Sequence, residues 1–564
     1  MITIKENRVE VSTCTMSASL VDGWLVSMRS KETGDEYISD VKSGTGSALE
    51  LIYAGNEAVP VSAGAMCSYK AFQINDLTVE LRYHNWDGDG ILLIREDEKT
   101  GDLLIEPSAY SSRAGVRSVR YNLCGLRHDL QLVAPICQGM ETNFDNPVLI
   151  GQRPAWPMVW EAALVIAKGE KGGIWAHAQD TDYRFKTLTL GANGDPFGFG
   201  LESDNYGPIT DKISAGGIAW RFNVFTGGWK VPAARYKEWL WKAFSLEKET
   251  ALRPDWLSGL SFAVSWCPTD VKLLEAIAKK IDPNKVLLHL NDWRKFGYDE
   301  DYPYFQASPK GGEFVEKCRE MGFHVMPHCS SMEIDPSLPE FQYLDDFSVR
   351  DLEKGRRLGW SWVNSNASMG VPGSDIALTT HKENKVMIKI HTAFPTWHSV
   401  LREQIREAVD GLDLENVFID VALCLYNAQK SLINNTPTTQ GFLKEIRHLQ
   451  AIGRKGRPLY VGAEGLNEIT MQGISFAQVH LFNRSSGAVQ QSTGKCDLNS
   501  FLFDKLVRSM GYSDLSGNTE DSAIYMQSHV DHGTIPTVTV RSADEIENPN
   551  SAVEKMMKLA NEMT

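Results

Sequence analysis

Short alternating runs of hydrophobic and polar residues fill the first part of the chain. Examples are LTVELRYHNWDGDGILLI, SVRYNLCGLRHDLQLV and RFKTLTLGANGD, with Gly, Asp and Asn between the runs. A period of two with turn residues about every 8 to 12 positions is typical of antiparallel strands. At GGWKVPAARYKEWLWKAF the hydrophobic positions change to helical spacing. We therefore predict an antiparallel β-sandwich over residues 1–245, which ends in a linker helix.

In the rest of the chain, short β-rich runs alternate with amphipathic helices, as in the βαβ units of a parallel sheet. No GxGxxG motif follows the first strand, which favours a (β/α)8 barrel of the TIM type over residues 256–564 rather than a dinucleotide-binding fold. Seven strands are LSFAVSW, VLLHL, FHVMPH, VFIDVAL, PLYVGAE, SFAQVHLF and TIPTVTV. We place an eighth strand at Ala523–Gln527, helices near 498–509 and 551–562, and an insertion over 335–390 that covers the active-site face.

Barrel enzymes carry their reacting groups at the C-terminal ends of the strands. In this chain those positions hold carboxylates, imidazoles and indoles, and flat rings with a polar edge suit the faces of sugars. The sequence therefore predicts a polar, aromatic cup that binds carbohydrate. Its residues are Trp266 and Cys267 after the first strand, Asn291, Asp292 and Trp293 after the second, and His328, Asp420, Glu464 and His480 after the third to sixth.

Two of these residues are a pair of carboxylates on neighbouring strands. Asp420 follows the apolar residues of VFI, and Glu464 follows the small residues Gly462 and Ala463. Adjacent strands lie about 4.8 Å apart, so the two carboxyl groups can face each other at the roughly 5 to 5.5 Å that retaining glycosidases use. The alternative for each carboxylate is that it caps the next helix or pairs with an arginine.

Two features that suggest metal binding have simpler explanations. His324 and His328 have i, i+4 spacing, but in a strand they lie about 13 Å apart, too far for one metal. DGDG at 87–90 lacks the downstream Gly and Glu of a calcium loop and lies between two β-like runs, so it predicts a hairpin turn. We expect no metal site, and no cofactor, because two carboxylates supply both a nucleophile and a proton. His324 is expected to have a core or hydrogen-bonding role.

Charge and composition narrow the classes of partner. The 564 residues carry a net charge of -15 and their 57 Lys and Arg residues are dispersed, which opposes binding to nucleic acid. A run of about 18 apolar residues and a signal-peptide pattern are both missing, so we expect no membrane partner and a cytoplasmic location. The nine cysteines lack the paired spacing of disulfides or zinc sites and are expected to be reduced thiols.

Several segments resemble one family of enzymes. NDWRKFGYDEDYPYFQASPKGGEFVEKCREMGFHVMPH, VFIDVAL and YVGAEG, with GGIWAHAQD and GGWKVPAARYKEWL upstream, resemble α-glycosidases related to the endo-α-N-acetylgalactosaminidases and, more distantly, to the melibiase-like enzymes. The resemblance implies a retaining mechanism with Asp420 as the nucleophile and Glu464 as the acid/base. It also implies that the loop 291–304, including Tyr302, and His328 line the subsite of the cleaved sugar.

Some alternatives stay open. Glu468 lies close enough to Glu464 in the sequence to compete for the acid role. Trp175, His177 and Asp180 are candidates for a wall of the pocket contributed by the sandwich. The expected partner is an oligosaccharide or small glycoside that is hydrolysed. A non-catalytic carbohydrate-binding protein, or a transglycosidase that uses the same residues, would have the same cup.

Overall fold

The structure of the chain is a computed structural model. Its N-terminal part consists of antiparallel sheets. This structure describes residues 1–6, 8–39, 46–61, 68–84, 88–362, 371, 385–422, 432–479, 494–503, 506–511, 522–548 and 551–562. The first sheet has four strands, Ile2–Lys5, Arg8–Ser12, Met16–Val21 and Trp24–Ser30.

Two larger antiparallel sheets share a hydrophobic core and form the predicted sandwich. Tyr121 of one sheet and Phe222 of the other meet edge to face, with ring centroids 5.8 Å apart. The smaller sheet contains, in spatial order, Ala155–Trp156, Lys186–Leu190, Phe199–Asp204, Val116–Leu123, Leu49–Tyr53 and Ala58–Pro60. The larger contains Gly494–Lys495, Met140–Asn143, Gln131–Ala134, Leu164–Lys168, Gly172–Ala178, Trp220–Thr226, Asp102–Ser111, Gly88–Asp97, Thr78–His84 and Ser68–Asn75, with Ser214–Gly216 beside Asp102–Ser111.

The strands around DGDG form the predicted antiparallel hairpin, but most of DGDG lies in the second strand rather than in the turn. Thr78–His84 and Gly88–Asp97 pair in antiparallel fashion, with Tyr83 opposite Gly90. Gly88 to Gly90 belong to the second strand, and Asp87 lies outside the described residues.

The helix predicted after the sandwich is also confirmed. It covers Lys230–Ala243 and is followed by a short helix, Leu246–Thr250. Ala233, Tyr236 and Leu240 are spaced three and four residues apart and are fully buried, so one face of the helix joins the core. The boundaries of the two predicted domains stay a prediction.

Eight parallel strands follow, paired in the order of the chain, so that each strand neighbours the next. A further bridge between Met510 and Ile535 joins the seventh strand to the segment that enters the eighth, and the Gly511 amide donates to Thr537 Oγ1 at 2.9 Å. The sheet is therefore a closed barrel, as predicted. Its strands are Phe262–Cys267, Val286–Leu290, His324–Ser330, Asn416–Asp420, Tyr460–Glu464, Phe476–Val479, Arg508–Gly511 and Thr537–Val538.

The prediction of the last strands was wrong in one respect. Ala523–Gln527 lies inside a helix, Ser522–His532, and the TIPTVTV segment supplies the eighth strand rather than the seventh. The seventh strand is Arg508–Gly511, where the sequence predicted the end of a helix. RSMG contains no β-branched or aromatic residue to indicate a strand, so its surroundings decide its conformation.

Helices pack around the outside of the barrel, and the helix predicted near 551–562 is confirmed. The helices after the first strand are Val271–Ala278, Pro309–Met321, Phe341–Leu344, Pro395–Leu412, Thr438–Gln450, Leu498–Phe503, Ser522–His532, Ala543–Glu547 and Ala552–Glu562. No helix among these described residues is both long and apolar enough to cross a membrane. The seven cysteines in the described part of the chain are free thiols.

The interior of the barrel is filled by an apolar layer that we call the floor. Its side chains are fully buried and come from successive strands, as in barrel cores generally. Gly462 contributes the fifth strand's position, because a Cβ there would lie 2.6 Å from Met326 Sδ. The other floor residues are Ala263, Leu287, Met326, Phe418, Phe476 and Met510.

A small antiparallel sheet follows the third barrel strand, within the predicted insertion. Its strands are Glu333–Ile334, Gly359–Ser361 and Val386–Lys389, and the last is central. Ile334, Val386 and Ile388 pack with Trp397 in a separate hydrophobic cluster. Residues 363–370 and 372–384 of the predicted insertion lie outside the described residues.

Candidate active site

A ring of polar side chains lies above the floor. Side chains alternate along a strand, so the residues two positions beyond the floor also face the barrel axis, at its C-terminal mouth. Gln478 Nε2 donates to Ser265 Oγ at 2.6 Å, which joins the sixth strand to the first across the barrel. The ring consists of Ser265, His289, His328, Asp420, Glu464 and Gln478.

Asp420 ends the fourth strand and is 9% exposed. Tyr298 OH donates to its Oδ2 at 3.4 Å, and His328 Nε2 lies 3.6 Å from the same oxygen. Burial, and then the negative charges of Glu464, Glu333 and Asp299, raise the pKa of Asp420 well above its usual value. The next residue, Val421, has φ +65°, a conformation that costs a β-branched residue energy and that is found most often at functional sites.

Glu464 ends the fifth strand, beside Asp420. Ile419 pairs with Ala463 in the parallel register, so Asp420 and Glu464 are the next residues of neighbouring strands. Glu464 is half-buried, and its charge is close enough to Asp420 to raise the pKa of that carboxyl. The two predicted carboxylates therefore lie together at the mouth of the barrel.

Glu468, the rival for the acid role, faces away from the mouth. Its Oε2 accepts from Trp156 Nε1 at 2.7 Å, and its Oε1 accepts from Tyr236 OH and from the Ala163 amide at 3.3 Å. The three donors belong to the sandwich and its helix, and Glu468 is 5% exposed. Glu468 therefore joins the sandwich to the barrel, and Glu464 is the carboxylate beside Asp420.

Two buried histidines form a hydrogen-bonded pair beside Asp420, in the same ring. His289 Nε2 and His328 Nδ1 are 3.1 Å apart, so one of the two nitrogens donates to the other. Burial lowers the pKa of His289 to about 3 and that of His328 well below its usual value, so both rings are neutral near pH 7. The sequence prediction included His328 but missed His289, which lies in VLLHL two residues beyond the floor residue Leu287.

Trp266 and Tyr298 supply aromatic faces to the cup. Trp266 has φ +54° at an irregularity in the first strand, and its ring centroid lies 5.1 Å from His289, 5.3 Å from Tyr298 and 5.5 Å from His328. Both Trp266 and Tyr298 are half-buried. The structure thus brings Trp266 to the site as predicted and adds Tyr298.

Trp293 does not face the cup, contrary to the prediction. It is completely buried, and its Nε1 donates to the backbone oxygen of His328 at 2.9 Å, so the indole holds the third strand in place. Asn291 and Asp292 begin the same loop, half-buried and exposed respectively. His480 lies outside the described residues.

Tyr302 lies near the candidate site, whereas His324 lies away from it at the start of the third strand. Tyr302 is buried, with the Arg294 guanidinium 4.3 Å from its ring centroid, and burial followed by the charges of nearby carboxylates, Asp420 among them, raises the pKa of its phenol. His324 is at the start of the third strand, where its Nε2 donates to Asn284 O at 3.1 Å and its ring stacks on Trp256 at 3.5 Å. The predicted hydrogen-bonding role of His324 is confirmed.

The three sandwich residues predicted to wall the pocket are occupied within the sandwich. His177 is buried, stacks on Trp175 at 4.1 Å and has its Nε2 3.7 Å from Asp102 Oδ2. Asp180 forms an ion pair with Lys186 at 2.6 Å. These contacts within the sandwich contradict the prediction that the three side chains wall the pocket.

Two further carboxyl groups lie near Asp420: Asp299 belongs to the predicted loop 291–304 but was not singled out, and Glu333 was missed. Asp299 accepts from Trp362 Nε1 at 2.7 Å, and burial raises its pKa to about 6. Glu333 accepts from Ser330 Oγ at 3.1 Å, and burial followed by the charge of Asp299 raises its pKa to about 8. Asp299 lies in the loop after the second strand and Glu333 in a two-residue strand, and neither setting is long enough for a periodic pattern to indicate which side chains turn inward. Within the described residues, no three His, Cys, Asp or Glu side chains are grouped so as to hold a metal ion.

Comparisons with known proteins agree with this architecture. Residues 218–436 match the model of a domain of unknown function, DUF6259. No curated protein matches the chain. Among solved structures, the α-N-acetylgalactosaminidase NagBb from Bifidobacterium bifidum in complex with GalNAc is 13% identical, with a TM-score of 0.66 over 100% of this chain and 92% of that one. A GH31 family sulfoquinovosidase from E. rectale is 12% identical, with a TM-score of 0.54 over 100% of this chain and 82% of that one. The chain therefore shares its fold, over its full length, with two glycosidases.

Proposed function

We propose that this protein is a glycoside hydrolase that cleaves an α-linked glycoside by a retaining, two-carboxylate mechanism. The observation that carries the proposal is the position of Asp420 and Glu464 at neighbouring strand ends, inside a ring of polar and aromatic side chains. Retaining glycosidases need two carboxyl groups close together on either side of the scissile bond. The fold shared with two named glycosidases supports the same conclusion.

The two carboxyl groups have separate tasks. Asp420 attacks the anomeric carbon, while Glu464 in its protonated form gives its proton to the leaving oxygen. The product of this step is a glycosyl ester of Asp420. Glu464, now ionised, takes a proton from water, which attacks the same carbon and releases the sugar with its original anomeric configuration.

The histidine pair lies beside Asp420, and its tautomer decides what faces the carboxylate. When His328 Nδ1 accepts from His289 Nε2, the N–H of His328 Nε2 points toward Asp420 Oδ2 from 3.6 Å, beyond hydrogen-bond distance. The opposite arrangement would set a bare nitrogen lone pair against the carboxylate. Tyr298 OH donates a hydrogen bond to Asp420. This donor offsets part of the repulsion from the neighbouring carboxyl groups, because a hydrogen bond to the charged form favours it.

The proposal is tested with a panel of nitrophenyl α-glycosides that includes the N-acetylgalactosaminide, the sugar bound in the NagBb structure. We expect the wild-type protein to release nitrophenol from at least one member, and NMR to show that the first sugar product is the α-anomer. Asp420→Asn is the matched control and should be inactive on that substrate. Sugar binding without release of nitrophenol would instead support the carbohydrate-binding alternative, and an initial β-anomer would exclude retention.

A further inference from the structure

Lys389 is a buried cation whose ammonium group finds no hydrogen-bond partner among the described residues. It ends the central strand of the small sheet and is 1% exposed. Its Nζ has no hydrogen-bond acceptor there, the Trp360 ring centroid lies 5.5 Å from it, and its charge acts on Glu333 without a hydrogen bond between the two side chains. An ammonium group that loses its water without gaining acceptors is costly, so the fold gains no stability from this charge.

Glu333 is the cross-strand neighbour of Lys389 and is also incompletely satisfied. The two residues are directly opposite in the antiparallel register. Glu333 is 1% exposed, its Oε2 accepts from Ser330 Oγ, and its Oε1 has no donor among the described residues. The pair therefore presents unused donors on one side chain and an unused acceptor on the other.

This pair lies beside the proposed nucleophile. The charge of Glu333 acts on Asp420, and Glu464 acts in turn on Glu333. Another buried atom without a partner, Tyr302 OH, belongs to a phenol on which both Asp420 and Glu333 act. Buried polar atoms in native proteins almost always have partners, so a group of orphans beside one site indicates a polar ligand.

A second buried lysine shows how the same fold treats a structural charge. Lys186 is completely buried, but its Nζ pairs with Asp180 at 2.6 Å, donates to Arg184 O at 2.7 Å and lies 3.8 Å from the Trp156 ring centroid. Lys186 therefore has the contacts of a structural lysine. Lys389 lacks such contacts among the described residues, which suits a lysine whose acceptors belong to a bound ligand.

We propose that Lys389 and Glu333 bind two neighbouring hydroxyl groups of the sugar that Asp420 attacks. One hydroxyl oxygen accepts from Lys389 Nζ, and the adjacent hydroxyl donates to Glu333 Oε1. The substrate class is therefore a glycoside whose cleaved sugar keeps a free vicinal diol. This inference rests on the proposed function, since it places the diol in the same site.

The first test compares Lys389→Met with Lys186→Met by thermal denaturation of the full chain without ligand. Methionine keeps most of the length of the side chain and removes the charge. We expect the Tm of Lys389→Met to equal or exceed that of wild type, because an unpartnered buried charge is removed, and the Tm of Lys186→Met to fall. A fall in Tm for Lys389→Met as large as that for Lys186→Met would show that Lys389 is structural, and would overturn the proposal whether or not the protein is a glycosidase.

The second test measures kcat/KM on the best nitrophenyl α-glycoside and on its monodeoxy analogues. We expect Lys389→Met to lose about 10- to 100-fold on the parent substrate, the range for a hydrogen bond to a charged group. One deoxy analogue should cost wild type a similar factor and should cost Lys389→Met almost nothing more, because the lost hydroxyl and the lost ammonium are partners. Equal sensitivity of the two proteins to every deoxy position would overturn the proposal.

The two ways of failing are distinguishable. If wild type hydrolyses no glycoside of the panel and binds no free sugar, the proposed function fails and the diol subsite fails with it. If wild type is active and Lys389→Met matches its kcat/KM, the diol subsite alone fails.

Discussion

Asp420 and Glu464 are needed at different steps, so their alanine variants should differ. Asp420→Ala should lose turnover on every substrate, because no other group in the mechanism forms the glycosyl ester. Glu464→Ala should lose about 10²- to 10⁴-fold on substrates with poor leaving groups but should still form the intermediate from a nitrophenyl glycoside. Added azide, which needs no base, should then restore turnover of Glu464→Ala and give a glycosyl azide of retained configuration. Azide rescue of Asp420→Ala with retention would contradict the assignment.

The surroundings of Asp420 predict an unusual pH dependence. Burial and three neighbouring carboxyl groups raise the pKa of Asp420, and the nucleophile must be ionised, so kcat/KM should fall as the pH falls through that raised pKa. We expect this acid limb to lie above about pH 4, the usual value for aspartate. Asp299→Asn removes one negative neighbour and should move the limb to lower pH. A limb at about pH 4 in wild type, or a shift to higher pH in Asp299→Asn, would contradict this explanation.

Glu468 offers a control for Glu464 that lies four residues away. Because three donors from the sandwich and its helix converge on the Glu468 carboxylate, Glu468→Ala should lower the free energy of unfolding by about 1–3 kcal/mol. Its kcat/KM at a temperature where the protein is folded should stay within about two-fold of wild type. Chemical denaturation and steady-state kinetics on the same preparation test both statements. Loss of activity in folded Glu468→Ala would return the acid role to this residue.

The floor of the barrel has no room for a side chain at Gly462. A Cβ at Gly462 would lie 2.6 Å from Met326 Sδ, so Gly462→Ala should cost about 1–3 kcal/mol of unfolding free energy through overpacking. Gly411, in the helix Pro395–Leu412, is the matched control, because a Cβ there meets nothing within 4 Å. Gly411→Ala should stabilise by about 0.5–1 kcal/mol. Equal effects of the two changes in urea unfolding would contradict the packing of the floor.

The barrel strands that lie within apolar or β-branched runs could be predicted from the sequence, but the seventh, which has no such run, could not. VFID and YVGAE have enough consecutive buried positions to reveal both a strand and its end, which placed Asp420 and Glu464 correctly. Arg508–Gly511 has four residues, and its pairing with the sixth strand decides its conformation. The helix Ser522–His532 contains Ile524 and Tyr525, which favour strands, yet the surrounding fold makes it helical.

In the candidate site, too, some residues could be predicted from strand alternation, whereas others are placed only by tertiary contacts. His289 could have been found, because it lies two residues past a floor position and side chains alternate along a strand. Trp293 was assigned to the cup from its place after a strand, but a loop residue can turn either way, and its indole turns into the core. Glu333 and Lys389 meet only because two short strands pair across more than fifty residues, and the local sequence carries no sign of that contact.

Sandwich and barrel pack on each other, as predicted, but through contacts that the sequence did not identify. Gly494–Lys495 from the barrel part pairs with Met140–Asn143 at the edge of the larger sandwich sheet, and Asn499 Nδ2 donates to Glu161 Oε2 at 3.1 Å. The contacts of Glu468 fix the fifth strand's loop to the sandwich as well. The sandwich therefore holds the chain four residues beyond Glu464, the proposed acid.

The identity of the nucleophile is tested most directly by trapping the glycosyl ester. Glu464→Ala is incubated with the nitrophenyl α-glycoside that wild type hydrolyses best, quenched in acid and digested, and the peptides are analysed by mass spectrometry. We predict that one peptide gains the mass of a single glycosyl unit and that fragmentation places the unit on Asp420, while Asp420→Asn with Glu464→Ala gains nothing. A glycosyl unit on any other residue, or burst release of nitrophenol with no adduct, would contradict the proposed mechanism.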